Sequence, residues 1–309
     1  MTTCSTTVAP RHVHVLSALD GSNLLAFMAA VGSMRLLEFE CPECQPRLHW
    51  EHRGMWTPLL ETTLPQDEVV QTLESAAHRM AAQPALAIGD NIKLTAEEFR
   101  DHRDRFDADA DRLENLRWLA AFASDACQDR NSKEGHLEDT GFRTMQGAGH
   151  QHFLKSVRTN LASATSDDFA SDLFHTWQYD RAGAPLRWDP ADDRQHAYRW
   201  RDPSSDKSGA VVGALACAGA ALSLFVTTPA RHGLRTTGFT AARGGPLLTW
   251  PIWITPLSTR SAASLMAHPR LQEQTPSRHA LESLGVADVF RSRRISVGKM
   301  RNFTPAWSP

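Results

Sequence analysis

The chain has 309 residues, 41% of them apolar and 22% charged, with a formal net charge of −2. That profile suits a folded chain with a sizeable core and excludes a wholly disordered protein, a collagen and a coiled coil. The charge is uneven, −10 over residues 1–207 and +8 over residues 208–309, so the basic part is the one suited to a polyanion or an acidic partner.

Val13 to Leu19 reads as a strand, followed by a turn at Asp20-Gly21. Ser22 or Asn23 can cap a helix, in which Leu24, Phe27, Met28, Val31 and Met34 fall at helical spacing and bury one face. Ala29, Ala30 and Gly32 are small enough to let a neighbour pack closely. A short loop from Cys41 to Pro46 leads to a strand at Arg47 to Trp50. Gly54 marks a turn before Met55 to Leu60. Asp67 to Met80 is a further helix, with Val69, Val70, Leu73 and Ala77 inward. Residues 95–126 form a charged helical stretch, with Leu113, Leu116, Leu119, Ala120 and Phe122 as its buried side. Gln128 to Gly141 is polar and loop-like.

Gly147-Ala-Gly149 then opens a helix carrying Phe153, Leu154, Val157 and Leu161 on one arc, and Asp167 to Trp177 is the next helix. Gly209 to Val226 runs 18 residues without a charge, near the lower limit for a membrane span. Half of it is Gly or Ala, so the expectation is a buried small-residue helix and no membrane. Leu247 to Ile254 reads as a strand, and Ser277 caps a short helix ending near Gly285. The fold class is α+β. An N-terminal mixed unit (residues 1–90), a mainly helical unit (91–184) and a basic, strand-rich unit (185–309) are the expected divisions.

The five cysteines, Cys4, Cys41, Cys44, Cys127 and Cys217, are too few for a disulfide framework. His12 and His14 stand where a secretory signal needs an apolar run. A cytoplasmic, reducing compartment is the expectation.

Several groupings bear on chemistry. Cys41-x-x-Cys44 precedes His49 and His52, two thiolates and two imidazoles of the kind zinc takes. The compact spacing and the strand between them favour ordinary loop thiols. Asp107-Ala-Asp-Ala-Asp111 fails as a calcium loop, because Arg112 and Trp118 stand where Gly and Glu are needed. Gly147-Ala-Gly149 ahead of a helix can aim bare N–H groups at a phosphate. Gln151, Lys155 and Arg158 then share a polar side that suits a phosphate backbone and equally suits an ordinary amphipathic helix. Arg187-Trp188 and Arg199-Trp200-Arg201 interleave cations with rings, either as a stacking platform or, the expectation here, as packing inside the fold. In Arg291-Ser-Arg293-Arg294, then Lys299 and Arg301, no acid follows Asp288, which gives a charge density that phosphates answer. No nucleophile elbow or Walker motif is present, and neither HxH pair has the acidic partners of a metallohydrolase.

The opening Leu19-Asp-Gly-Ser-Asn-Leu-Leu-Ala-Phe-Met-Ala-Ala-Val-Gly-Ser-Met-Arg-Leu-Leu37 resembles the start of CRISPR-associated proteins of type I-U (I-G) loci, with Leu24 where that pattern has Pro. Arg47-Leu-His-Trp50, Trp56-Thr-Pro-Leu-Leu60, Gln146 to Leu154, Leu186 to Pro190, Asp193-Arg194, Tyr198 to Pro203, Thr236 to Phe239, Val289 to Arg294 and Gly298 to Phe303 continue it in order. The resemblance implies a non-catalytic subunit of an RNA-guided surveillance complex, similar to a Cascade large subunit. Its partners would be the other effector subunits, crRNA and target DNA, with no cofactor. Base pairing reads sequence in such complexes, while protein holds the backbone. Charge and spacing nominate Lys155, Arg158, Arg291, Arg293, Arg294, Lys299 and Arg301 for the nucleic acid. The alternatives are a metal-dependent nuclease or hydrolase using Cys41, Cys44, His49 and His52, and a protein–protein scaffold.

Overall fold

The structure is a computed structural model and describes residues 10–145, 152–190, 209–231, 233–297 and 300–309. Its fold is α+β. Strands β1 (His12–Val15), β2 (Arg47–His52) and β3 (Trp56–Thr62) form an antiparallel sheet with β12 (Leu257–Ser258), in the order β1-β3-β2-β12. A second antiparallel sheet has the order β10 (Phe239–Thr240), β11 (Leu247–Trp253), β13 (Val286–Val297) and β14 (Met300–Phe303). Three ribbons complete the strands: β4 (Ala123–Gln128) with β5 (Leu137–Asp139), β6 (Arg181–Ala182) with β7 (Gly209–Ala210), and β8 (Thr227–Ala230) with β9 (Gly233–Thr236).

Helix α1 (Leu24–Glu40) is the centre of the molecule. Asn23 caps it, its Oδ1 accepting from Ala26 N at 3.2 Å. The helix is buried on every side from Leu24 to Leu37, not on one face. Its small residues explain how. Against it lies α7 (Val212–Ala221), also buried throughout, and a Cβ on Gly32 would sit 1.7 Å from Cys217 O. Two backbones can approach this closely only where a side chain is missing. The uncharged run is thus an interior helix. Among the described residues no helix is long and apolar enough to cross a membrane.

The other side of α1 meets both sheets through aromatic rings. Phe27 stacks on Trp50 of β2 with centroids 5.8 Å apart and meets Trp250 of β11 at the same separation. Trp253 stands edge-on to Trp50 at 6.1 Å. Two of the three indoles are tied down by hydrogen bonds, Trp250 Nε1 donating to Gly21 O at 2.9 Å and Trp253 Nε1 to Leu48 O at 2.6 Å, while Trp50 Nε1 is buried without an acceptor among the described residues. Large rings supply much of the burial a core needs.

Helices α2 (Gln66–Ala81), α5 (Phe153–Ser163) and α6 (Ser166–Phe174) pack around this centre with the inward residues the periodicity predicts: Val69, Leu73 and Ala77, then Phe153, Leu154, Val157 and Leu161. The stretch 95–126 is different from the expected single helical run. It divides into α3 (Ala96–Asp107) and α4 (Arg112–Phe122), and its end is already strand β4. The break has a local cause. Asp109 Oδ1 accepts from Asp111 N at 3.2 Å, so a side chain replaces a helical backbone partner. The register then shifts, and Leu113, expected inside, is 79% exposed. Two short helices, α8 (Thr259–Met266) and α9 (Arg278–Glu282), lie between β12 and β13, the second capped by Ser277. One buried apolar cluster runs from Leu16 to Phe303 and draws on all three expected divisions.

Candidate nucleic-acid interface

The basic residues nominated by charge fall in different places. Lys155 is exposed on α5. Arg158, one turn on, is engaged within the fold: Nη1 donates to Leu86 O at 2.6 Å and Gly89 O at 2.9 Å, and Nη2 meets Asp90 at 3.0 Å. Gln146 to Gln151, including Gly147-Ala-Gly149, lies outside the described residues, as do Lys299 and residues 199–201.

Arg291 on β13 is 5% exposed. Its Nε donates to Thr249 Oγ1 at 3.0 Å, Nη1 to Gln274 O at 2.6 Å, and Nη2 to the carbonyls of Leu271 and Glu273. A guanidinium whose donors meet four protein acceptors inside the fold is a brace for the 271–274 loop, not a phosphate ligand. Arg293 likewise reaches the carbonyls of Arg243 and Gly245 and fixes the turn before β11, where Gly244 and Gly245 hold φ of 87° and 123°. Trp188 is also internal, fully buried, with Nε1 donating to Phe142 O at 3.1 Å, which agrees with the packing reading of Arg187-Trp188.

Arg294 and Arg301 are brought together. Alternation along β13 turns Arg294 away from Arg293, and Arg301 comes from the paired strand β14. Both line a cleft of about 650 Å³ whose other walls are the β4–β5 and β8–β9 ribbons. Arg143, Arg231 and Arg235 join them there, against Asp129, Glu138 and Asp139. The cleft therefore carries more positive than negative charge.

Asp139 organises the arginines. Its Oδ2 lies 2.5 Å from Arg143 Nη2. Burial pushes its carboxyl above the usual carboxylate range, and the charges of Arg143, Arg301 and Arg294 pull against that shift. Arg294 donates from Nη1 to Gly141 O at 2.7 Å. Burial brings its guanidinium down to about 10, helped by the like charges of Arg301 and Arg143, which leaves it protonated at neutral pH. Arg301 is lowered in the same way, first by burial, with Asp139 opposing. Gly141 N donates to Thr236 Oγ1 at 2.7 Å, and Glu138 Oε2 accepts from Leu234 N, so the two ribbons are locked as walls.

Arg143, Arg231 and Arg235 were not legible as site residues. Arg143 stands alone in Thr-Gly-Phe-Arg-Thr, and Arg231 and Arg235 flank a hairpin turn. The only sequence signal was the +8 balance of the last third and the i,i+4 spacing of Asp139 and Arg143.

The cysteine pair sits elsewhere. Cys41 and Cys44 bracket a tight 3₁₀ turn, and the Cys41 thiol is pushed up to about 12, first by burial, then by its hydrogen bond with Glu43 and by Cys44. His49 Nδ1 lies 3.4 Å from Glu61. Among the described residues, no three His, Cys, Asp or Glu side chains are gathered to hold a metal ion.

No protein-family model matches the chain, and no curated protein is significantly similar to it.

Proposed function

We propose that the chain is a non-catalytic, nucleic-acid-binding subunit of a type I RNA-guided effector complex of the I-U (I-G) kind, and that the arginine cleft is where it holds a phosphate backbone. The observation that carries the reading is the convergence of Arg143, Arg231, Arg235, Arg294 and Arg301, from three separate parts of the chain, on one cleft. Guanidinium groups match phosphate oxygens in forked pairs, and several at one place give affinity without sequence preference. That is the protein's share of the work in a complex where a guide strand reads the sequence. The ordered blocks that resemble type I-U proteins support the assignment to an effector. The exposed apolar side chains Val13, Leu113 and Ile254 offer contacts for neighbouring subunits.

The test is co-purification. The tagged chain is expressed with its genomic neighbours and a CRISPR array, and bound RNA is sequenced. Uniform guide RNA recovered with partner subunits is the expected result. Recovery of the chain alone, free of nucleic acid, would overturn it. Replacing Arg294 and Arg301 together by Gln is expected to lower the recovered RNA about tenfold or more, since each charged hydrogen bond is worth about 1.5–3 kcal/mol.

A further inference from the structure

Helices α3 and α4 leave an apolar surface open. Residues 108–111 join them, and the two fold back on one another, with Asp107 meeting Arg112 at 2.5 Å and Arg103 meeting Asp125, beyond the end of α4, at 3.7 Å. An open groove of about 400 Å³ runs between them. Phe99, Leu116, Leu119 and Ala120 form its floor, and the exposed Arg103, Asp104 and Asp107 stand at its rim. Leu113, one turn before Leu116, is 79% exposed. Leu113, Leu116 and Ala120 therefore make a stripe at i, i+3 and i+7 along α4. Their spacing predicted a buried face, but no described part of the chain covers Leu113.

A single exposed leucine needs no explanation. A leucine stripe beside an apolar groove of ligand-holding size does. Charge selects the occupant. Between Ala96 and Asp125, nine carboxylates stand against five arginines. The arginines nearest the groove are already engaged, Arg103 between Asp104 at 2.9 Å and Asp125, and Arg112 with Asp107. The surplus at this surface is negative. It repels a phosphate backbone. A second copy in a two-fold pair would set the acidic face against itself. A protein segment with apolar anchors and basic flanks suits both floor and rim. The space between two helices takes the side-chain ridge of a third, with anchors three or four residues apart.

We infer that the α3–α4 groove seats a basic amphipathic helix of a neighbouring effector subunit, its apolar anchors on the floor and its Lys or Arg side chains against Asp104 and Asp107. The inference rests on the proposed function and names the chemistry of a partner. It places that contact on the acidic part of the chain, on other elements than those that line the arginine cleft.

Photo-crosslinking in the co-expressed complex tests this. Leu113 is replaced by p-benzoylphenylalanine, the tagged chain is purified with its genomic neighbours and a CRISPR array, and the crosslinked peptide is sequenced after irradiation. The expected product joins position 113 to one segment of another subunit, with apolar residues three or four apart and Lys or Arg between them. Leu113→Asp should lower recovery of that subunit about tenfold or more, the loss of one buried leucine contact. Asp104→Lys combined with Asp107→Lys should lower it about threefold or more through the rim alone. All three positions are exposed, so these variants should melt like the parent; should one not, the crosslink decides. A complex that assembles with guide RNA but gives no crosslink overturns this inference and leaves the proposed function standing. So does a crosslink to RNA, to a second copy or to a segment without basic residues, and so does full recovery of the subunit with either variant. Failure of the parent chain to recover any subunit overturns both.

Discussion

Arg35 shows how far a single charge is built into this fold. It lies on the buried α1 and is 1% exposed, with an ion pair to Glu114 of α4, a second carboxylate, Glu38, at 3.8 Å, and Nε donating to Ser223 at 3.1 Å. Burial lowers its affinity for the proton, and Glu114 opposes that most. Removing one partner of a buried pair strands the other charge. Glu114→Gln should therefore cost about 3 kcal/mol, seen as a lower urea midpoint at unchanged m. Asp172 behaves in the opposite sense. It accepts from Gly213 N at 2.8 Å and Ala214 N at 3.2 Å at the start of α7, yet burial pushes its carboxyl up to about 7 against those hydrogen bonds. The folded state holds this proton at pH values where the unfolded chain has released it. Stability from this group is thus full below pH 4 and is lost as pH rises toward 7, by at most about 4 kcal/mol at 1.36 kcal/mol per unit. Asp172→Asn should flatten the melting temperature across that window while keeping an acceptor for the helix start.

At the scale of elements, the contact between α1 and α7 demands a glycine. A methyl group on Gly32 would overlap the Cys217 carbonyl, and neither backbone can yield without moving a buried helix. Gly32→Ala should destabilise by about 3 kcal/mol, the upper end for overpacking, while Ala30→Gly, equally central, should act only through helix propensity and lost methyl burial. The small residues at Ala29, Ala30 and Gly32 pointed in the sequence to a close neighbour, and the charge-free run from Gly209 read as a buried helix, but nothing in the sequence paired the two. Strands β2 and β11 and helices α2 and α5 were legible from their apolar residues and the turn residues that bound them. The division between α3 and α4 was not, because the aspartates that break the helix also read as a solvated helical face. The candidate site was legible only in part. Arg294 and Arg301 belonged to a visible basic cluster, but alternation along β13 splits that cluster between a structural and an open face. Arg143 reaches the cleft by a chain fold that no local pattern encodes.

For the whole molecule, the uneven charge takes on a spatial meaning. The acidic first two-thirds and the basic last third do not separate into blocks; Asp129, Glu138 and Asp139 reach into the arginine cleft. Asp139 acts there as an internal counter-ion. Asp139→Asn should raise affinity for RNA at low salt about threefold or more, as one opposing charge is removed from a partly buried site, and lower the melting temperature, as the arginines then repel without a mediator. A titration and a melt on the same preparation check both signs.

Strand β12 has a further effect in time. It pairs with β2 across some 200 residues of chain, Leu257 opposite Leu48 and Ser258 opposite Arg47. Translation proceeds at about 5–20 residues per second, so the ribosome exposes β2 for roughly 10–40 s before its last neighbour has been made. Throughout that interval the nascent sheet carries an unpaired edge that can join another chain. Synthesis of this protein thus has a window of vulnerability set by the distance between β2 and β12 along the chain, and a chaperone or a co-translated partner subunit that covers β2 would matter most before residue 258 emerges.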